Sequence, residues 1–219
     1  MNGDLPPKPV SGLIDELTAD LEPVHIMRGR DGMALALAAL AVTVVAVALI
    51  AGLREGLMSS APPSFFLIAN LLLLLLGLAA ATAVVSMAGP RVGNRHDAPK
   101  WALAMVTVLP LAALASLTGP GQLTHALGDD NYGWQCAAYG SISAMLVAAA
   151  LTAWLRRGAP VSPERAGLWT GVAAGALGSA AYGLHCPIDS MAHLGIWHML
   201  PVAVCGALGR VALPPLLRW

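Results

Sequence analysis

Charge is what this sequence has least of. Asp, Glu, Lys and Arg make up 11% of its 219 residues, against the roughly 25% that keeps a soluble globular surface wet. A water-soluble fold is thereby excluded. The 12 basic and 12 acidic residues cancel, so there is no positive field to grip phosphates, and direct contact with nucleic acid is not expected. Three cysteines are too few and too scattered for a disulfide-stapled secreted scaffold. Ionisable groups are also nearly missing from the middles of the apolar stretches, where Asn70 is the most conspicuous polar residue. Proton- or ion-coupled transport draws on intramembrane carboxylates or their equivalents, so a transporter or channel is the weaker reading.

What the chain does have is length of apolar sequence, with hydrophobic residues at 57%. A hydrocarbon core takes about 20 residues of helix to cross, and lipid offers no partner to an unpaired backbone group. These rules predict an all-α integral membrane bundle of six transmembrane helices: Met33 to Leu53, Phe65 to Ala88, Trp101 to Leu117, Trp134 to Leu155, Ala166 to Leu184 and Pro187 to Leu213. The third is the shortest and carries Pro110 in its interior. With the N-terminus inside, Arg54 is the one cation among the 12 Lys and Arg that falls in an outer connection, which orients both termini toward the cytoplasm. The six tryptophans fall at the ends of spans in the same arrangement.

Residues 1–32 are expected to remain in water as a separate cytoplasmic segment, with 33–219 forming the transmembrane domain. The first apolar stretch follows an acidic segment rather than a short basic one, which is not the pattern of a signal peptide. Within the segment, Leu13, Ile14, Leu17 and Leu21 share one side of a short amphipathic helix over Gly12 to Glu22, opposite Asp15, Glu16, Asp20 and Glu22. A helix of about 11 residues is marginal alone in water, so its leucines need a surface. The acidic opposite face is unlike the cationic face of a helix lying on anionic lipid, which favours a protein partner with an apolar groove.

Two further patterns stand out. Gly167, Gly171, Gly175, Ser179 and Gly183 recur every fourth residue, a small-residue stripe that lets helix backbones approach. At the outer junction of the fifth and sixth spans comes His185-Cys186-Pro187-Ile188-Asp189-Ser190, followed by His193 and His198, with Cys136 near the same face at the start of the fourth span. Pro187 is expected to open the last helix, with Cys186 at its N-cap, where the dipole favours a thiolate. Asp189 and His193 would then share a helix face. Two thiols in an envelope compartment can oxidise to a disulfide or bind a soft metal ion such as zinc. Cys136, Cys186, His185, Asp189 and His193 are therefore the candidate ligands. No cofactor is required, and a soft metal at the outer face is the one candidate ion. Cys205, among Ala, Val and Gly, reads as packing.

The sequence resembles the NrsF-type anti-sigma factors, six-span inner-membrane proteins of bacteria. The resemblance lies in Leu13-Ile14-Asp15-Glu16-Leu17 through Asp20 and Pro23-Val24, in Arg156-Arg157-Gly158-Ala159-Pro160, in the glycine-rich fifth span and, most specifically, in Tyr182-Gly183-Leu184-His185-Cys186-Pro187-Ile188-Asp189-Ser190. It implies a non-enzymatic regulator whose N-terminal segment, through Leu13, Ile14, Leu17, Asp20 and Leu21, docks an extracytoplasmic-function sigma factor. It further implies outer-side sensor thiols, Cys136 and Cys186, that gate release under metal or oxidative stress. A membrane thiol oxidoreductase using the same pair is the competing enzyme reading, and it lacks a second reactive pair. The charge count gives the first test: reporter fusions in 156–165 should read cytoplasmic and fusions at Ile188 external. An external signal at Arg157 refutes the orientation.

Overall fold

The computed structural model describes residues 10–19, 21, 27–57, 64–89, 98–118 and 132–217, and all regular structure among them is helical. The helices in chain order are α1 (Val10–Thr18), α2 (Gly29–Ile50), α3 (Ser64–Met87), α4 (Ala98–Val106), α5 (Val108–Ser116), α6 (Gly133–Leu155), α7 (Pro163–Gly183), α8 (Met191–Trp197), α9 (Leu200–Ala212) and α10 (Pro214–Leu217).

Five segments among the described residues are long and apolar enough to cross a membrane: α2, α3, α4 with α5 (Pro99–Ser116), α6, and α8 with α9 (Met191–Ala212). The count of six is thus not met on hydropathy, and the missing one is α7. The reason is where α7 sits. It packs against α3, α6 and α9, and from Ala166 to Gly183 every residue except the half-buried Leu168 is buried. A helix enclosed by protein meets little lipid, so it is built from Gly, Ala and Ser rather than from large apolar side chains. Its 21 residues span roughly 31 Å of helix.

The small-residue stripe does what its spacing predicts. A Cβ added at Gly167 would fall on the Gly209 carbonyl oxygen, one at Gly171 on the Cys205 carbonyl oxygen, and one at Gly175 would stand 2.5 Å from the Pro201 carbonyl oxygen. The backbones of α7 and α9 therefore touch along three turns. Gly178 makes the equivalent approach to α6, 2.5 Å from the Ala144 nitrogen for an added Cβ. In lipid, where apolar side chains gain nothing by leaving the solvent, such close backbone packing is the main source of helix association.

Two expected spans are broken, each at a proline. Pro110 has no N–H for the Val106 carbonyl and its ring crowds that carbonyl, so α4 ends at Val106 and α5 begins at Val108. Pro201 does the same to Trp197, and α8 ends there. The last helix also starts at Met191 rather than at Pro187, with Cys186 to Ser190 outside any helix. The expected N-cap position of Cys186 is therefore corrected.

α1 is shorter than the expected Gly12 to Glu22, closing at Thr18 with a turn in which the Leu21 N–H donates to the Thr18 carbonyl at 3.2 Å. Asp20, Glu22 and Pro23 lie outside the described residues. Leu17 and Leu21 are 66% and 71% exposed, and Leu13 and Ile14 are exposed beside them. Trp154 and Trp169, placed by the sequence at a membrane boundary, are core residues; the Trp154 Nε1–H donates to the Val85 carbonyl at 3.1 Å.

Gly171→Val should force α7 and α9 apart, because the obstacle is backbone and cannot rotate away. Overpacking of this kind costs about 1–3 kcal/mol or more. Thermal unfolding in detergent should show a lower midpoint for Gly171→Val and an unchanged one for Leu208→Val on the exposed face of α9.

Candidate functional site: a buried cysteine and histidine cluster

Four side chains from separate segments meet at one end of the bundle. Cys136 comes from the first turn of α6, Cys186 from the segment after α7, His193 from α8, and His198 from the break between α8 and α9. Their donor atoms all lie within 4.8 Å of one another. Cys136 Sγ is 3.7 Å from Cys186 Sγ, and Cys186 Sγ is 3.4 Å from His193 Nε2. The rings of His193 and His198 stand 5.6 Å apart.

The stripe on α7 positions this cluster. Ser179, its fourth member, donates from Oγ to the His198 carbonyl at 2.7 Å and lies 3.4 Å from His198 Nδ1. The imidazole is fixed by its backbone and one ring edge, while His198 Nε2 is buried with no hydrogen-bond partner. Tyr182, one turn further on, packs with Val47 against both cysteines. Cys186 is held by the tightened end of α7, where its N–H donates to the Gly183 carbonyl at 3.1 Å.

The arrangement suits a soft metal ion. A tetrahedral ion with sulfur at about 2.3 Å and nitrogen at about 2.05 Å has edges of about 3.8 Å between sulfurs and about 3.6 Å between sulfur and nitrogen. The observed 3.7 and 3.4 Å are close to both, and the orphaned nitrogen of His198 is a lone pair that an ion would use. The thiols are not bonded to each other, since a disulfide needs about 2.05 Å. The Cys136 thiol, and then the imidazoles of His193 and His198, hold the Cys186 thiol well below its ordinary range, against the opposing effect of burial. Thiolate character is what both metal ligation and oxidation require.

Of the candidates from the sequence, the structure brings Cys136, Cys186 and His193 together and places His185 and Asp189 elsewhere. His185 Nδ1 lies 3.2 Å from the Gly52 carbonyl. Asp189 Oδ1 accepts from the Phe66 N–H at 2.7 Å in the first turn of α3, so it caps a neighbouring helix and shares no helix face with His193. Sequence reasoning does not place His198 among the candidate donors. Its spacing of five from His193 fits no single helix face, and only the break imposed by Pro201 brings the two rings together. Cys205, on α9, stands apart from the cluster, as its neighbours in sequence suggest.

Residues 17–219 match the family described as NrsF, negative regulator of sigma F. The chain belongs to the NrsF family. The anti-sigma-F factor NrsF of Caulobacter vibrioides (strain NA1000 / CB15N) is 32% identical over 150 residues, 66% of this chain and 68% of the relative. The probable anti-sigma-F factor NrsF of Azospira oryzae (strain ATCC BAA-33 / DSM 13638 / PS) is 36% identical over 61 residues, 28% of this chain and 29% of the relative. No solved structure matches. Membership in the NrsF family makes the chain an anti-sigma factor, a regulatory protein rather than an enzyme, with a sigma factor as its partner.

Titration of the purified full-length protein with cobalt(II) should saturate at one ion per chain with thiolate charge-transfer absorption. Cys186→Ser and His198→Ala should each weaken binding by more than the roughly 10–100-fold typical of losing an outer-shell contact. His185→Ala should leave affinity unchanged. Asp189→Ala should also bind metal, while losing a helix cap worth about 1 kcal/mol.

Proposed function

We propose that this chain is an inner-membrane anti-sigma factor that holds an extracytoplasmic-function sigma factor through residues 1–32 and releases it when the Cys136, Cys186, His193 and His198 site captures a soft metal ion. The observation that carries the docking half is the exposed face of Leu13, Ile14 and Leu17 on α1, with Leu21 exposed just beyond it, an apolar edge of the kind that enters a groove on a partner. Asp20 completes the docking segment. The sensing half is supported by the four buried donors.

In this reading α7 is the fifth of six spans, both termini face the cytoplasm, residues 33–219 are the sensor domain, and the cysteine cluster lies at the periplasmic end. The cluster joins α6 to the α7–α8 connection and to the α8–α9 break. An ion held there locks these three segments together at one end, and α7, packed backbone to backbone on α9, transmits that constraint across the bilayer. A ligand shifts such an equilibrium only by its differential affinity for the two states, and thiolate and imidazole ligation supplies that difference. Oxidation of the two thiols to a disulfide by an external two-electron oxidant such as hydrogen peroxide is the second trigger, acting on the same pair. The peroxide takes up the two electrons and two protons as the S–S bond forms and leaves as water.

Leu17→Asp removes buried apolar area worth about 1.5–3 kcal/mol and puts a charge into a dry groove. Capture of the sigma factor by the full-length protein in nanodiscs should fail for Leu17→Asp and persist for Glu16→Gln. Cys186→Ser should capture normally and no longer release on adding cadmium. Normal capture by Leu17→Asp refutes the docking face, and normal release by Cys186→Ser refutes the sensor.

A further inference from the structure

Beside the cluster, a second feature serves neither docking nor sensing. Arg54 is only 8% exposed, and its Nε and Nη1 are buried with no hydrogen-bond partner. What offsets its charge is the face of Phe66, with the guanidinium carbon 4.5 Å from the ring centre, and one long contact of 3.4 Å from Nη2 to the Pro187 carbonyl. A desolvated cation so weakly compensated is costly unless an anion comes to it. Arg54 lines a cavity of about 490 Å³ together with Glu55, Tyr132 and His185.

That cavity adjoins an apolar groove of about 660 Å³ between α2 and α6, and the two share Ala51 and His185. Val42, Ala46, Ile142 and Leu146 line the groove, with Tyr182 among them. Thr43, also on its wall, spends its hydroxyl on the Ala39 carbonyl of its own helix at 2.9 Å, so the groove offers it as an apolar surface. The combined shape is a polar chamber at one end of an apolar slot, each part within the size range of small-molecule sites.

We propose that this corner binds one phospholipid with an ethanolamine headgroup. The phosphate diester faces Arg54, the ammonium faces Glu55, and an acyl chain fills the slot between α2 and α6. Charge complementarity selects this occupant: a buried cation with two unsatisfied nitrogens and an exposed carboxylate one residue away match the two charges of a zwitterionic headgroup, and the slot matches its tail. This site goes beyond the sensing site and does not depend on it.

The test is native mass spectrometry of the full-length protein released from nanodiscs holding equal amounts of phosphatidylethanolamine, phosphatidylglycerol and diacylglycerol. The expected result is one retained phosphatidylethanolamine per chain, enriched about tenfold over the other two lipids. Arg54→Gln should lose it. Because Arg54 also contacts the Pro187 segment, Ala46→Phe, which only fills the slot, gives an independent loss with circular dichroism unchanged. Retention of phosphatidylglycerol or diacylglycerol as strongly as phosphatidylethanolamine, or undiminished retention by Ala46→Phe, overturns the proposal.

Discussion

The contact between the backbones of α7 and α9 is the constraint on which the rest depends. Gly167, Gly171 and Gly175 leave no side chain between the two helices, and the next residue in the row, Ser179, reaches His198. One sequence pattern thus sets both the packing of the bundle and the placement of an imidazole in the cluster. The same contact explains the composition of α7, since a helix surrounded by α3, α6 and α9 has little outer surface to cover with leucine.

The two prolines that interrupt helices have different consequences. Pro110 divides an expected span into α4 and α5. Pro201 ends α8 one residue before His198, whose ring stands 5.6 Å from that of His193. The connection from Leu184 to Asp189 is fixed from the other side: the Arg54 N–H donates to the Leu184 carbonyl at 2.9 Å, and Asp189 caps α3. Cys186 is therefore presented by a segment anchored at both ends, which is how a side chain outside any helix keeps a defined position.

Much of this is legible in the sequence. Low charge and long apolar runs give the membrane character, and the four-residue spacing of small residues foretells the close helix contact. Topology and resemblance together pair Cys136 with Cys186, fifty residues apart. What periodicity cannot show is tertiary. Asp189 reads as a ligand when a helix is expected to begin at Pro187, whereas its carboxylate satisfies a backbone donor of α3. His198 is invisible because its alignment with His193 arises at a helix break. The length of α7 would let it cross a membrane, yet hydropathy does not distinguish it, because enclosure by protein removes the need for large apolar residues.

Whether Cys136, Cys186, His193 and His198 act as one metal-binding site within a single chain is measured most directly by X-ray absorption spectroscopy of the full-length protein carrying one equivalent of zinc. A first shell of two sulfurs and two imidazole nitrogens is predicted. A shell of oxygen and nitrogen alone, or one of four sulfurs drawn from two chains, would contradict it.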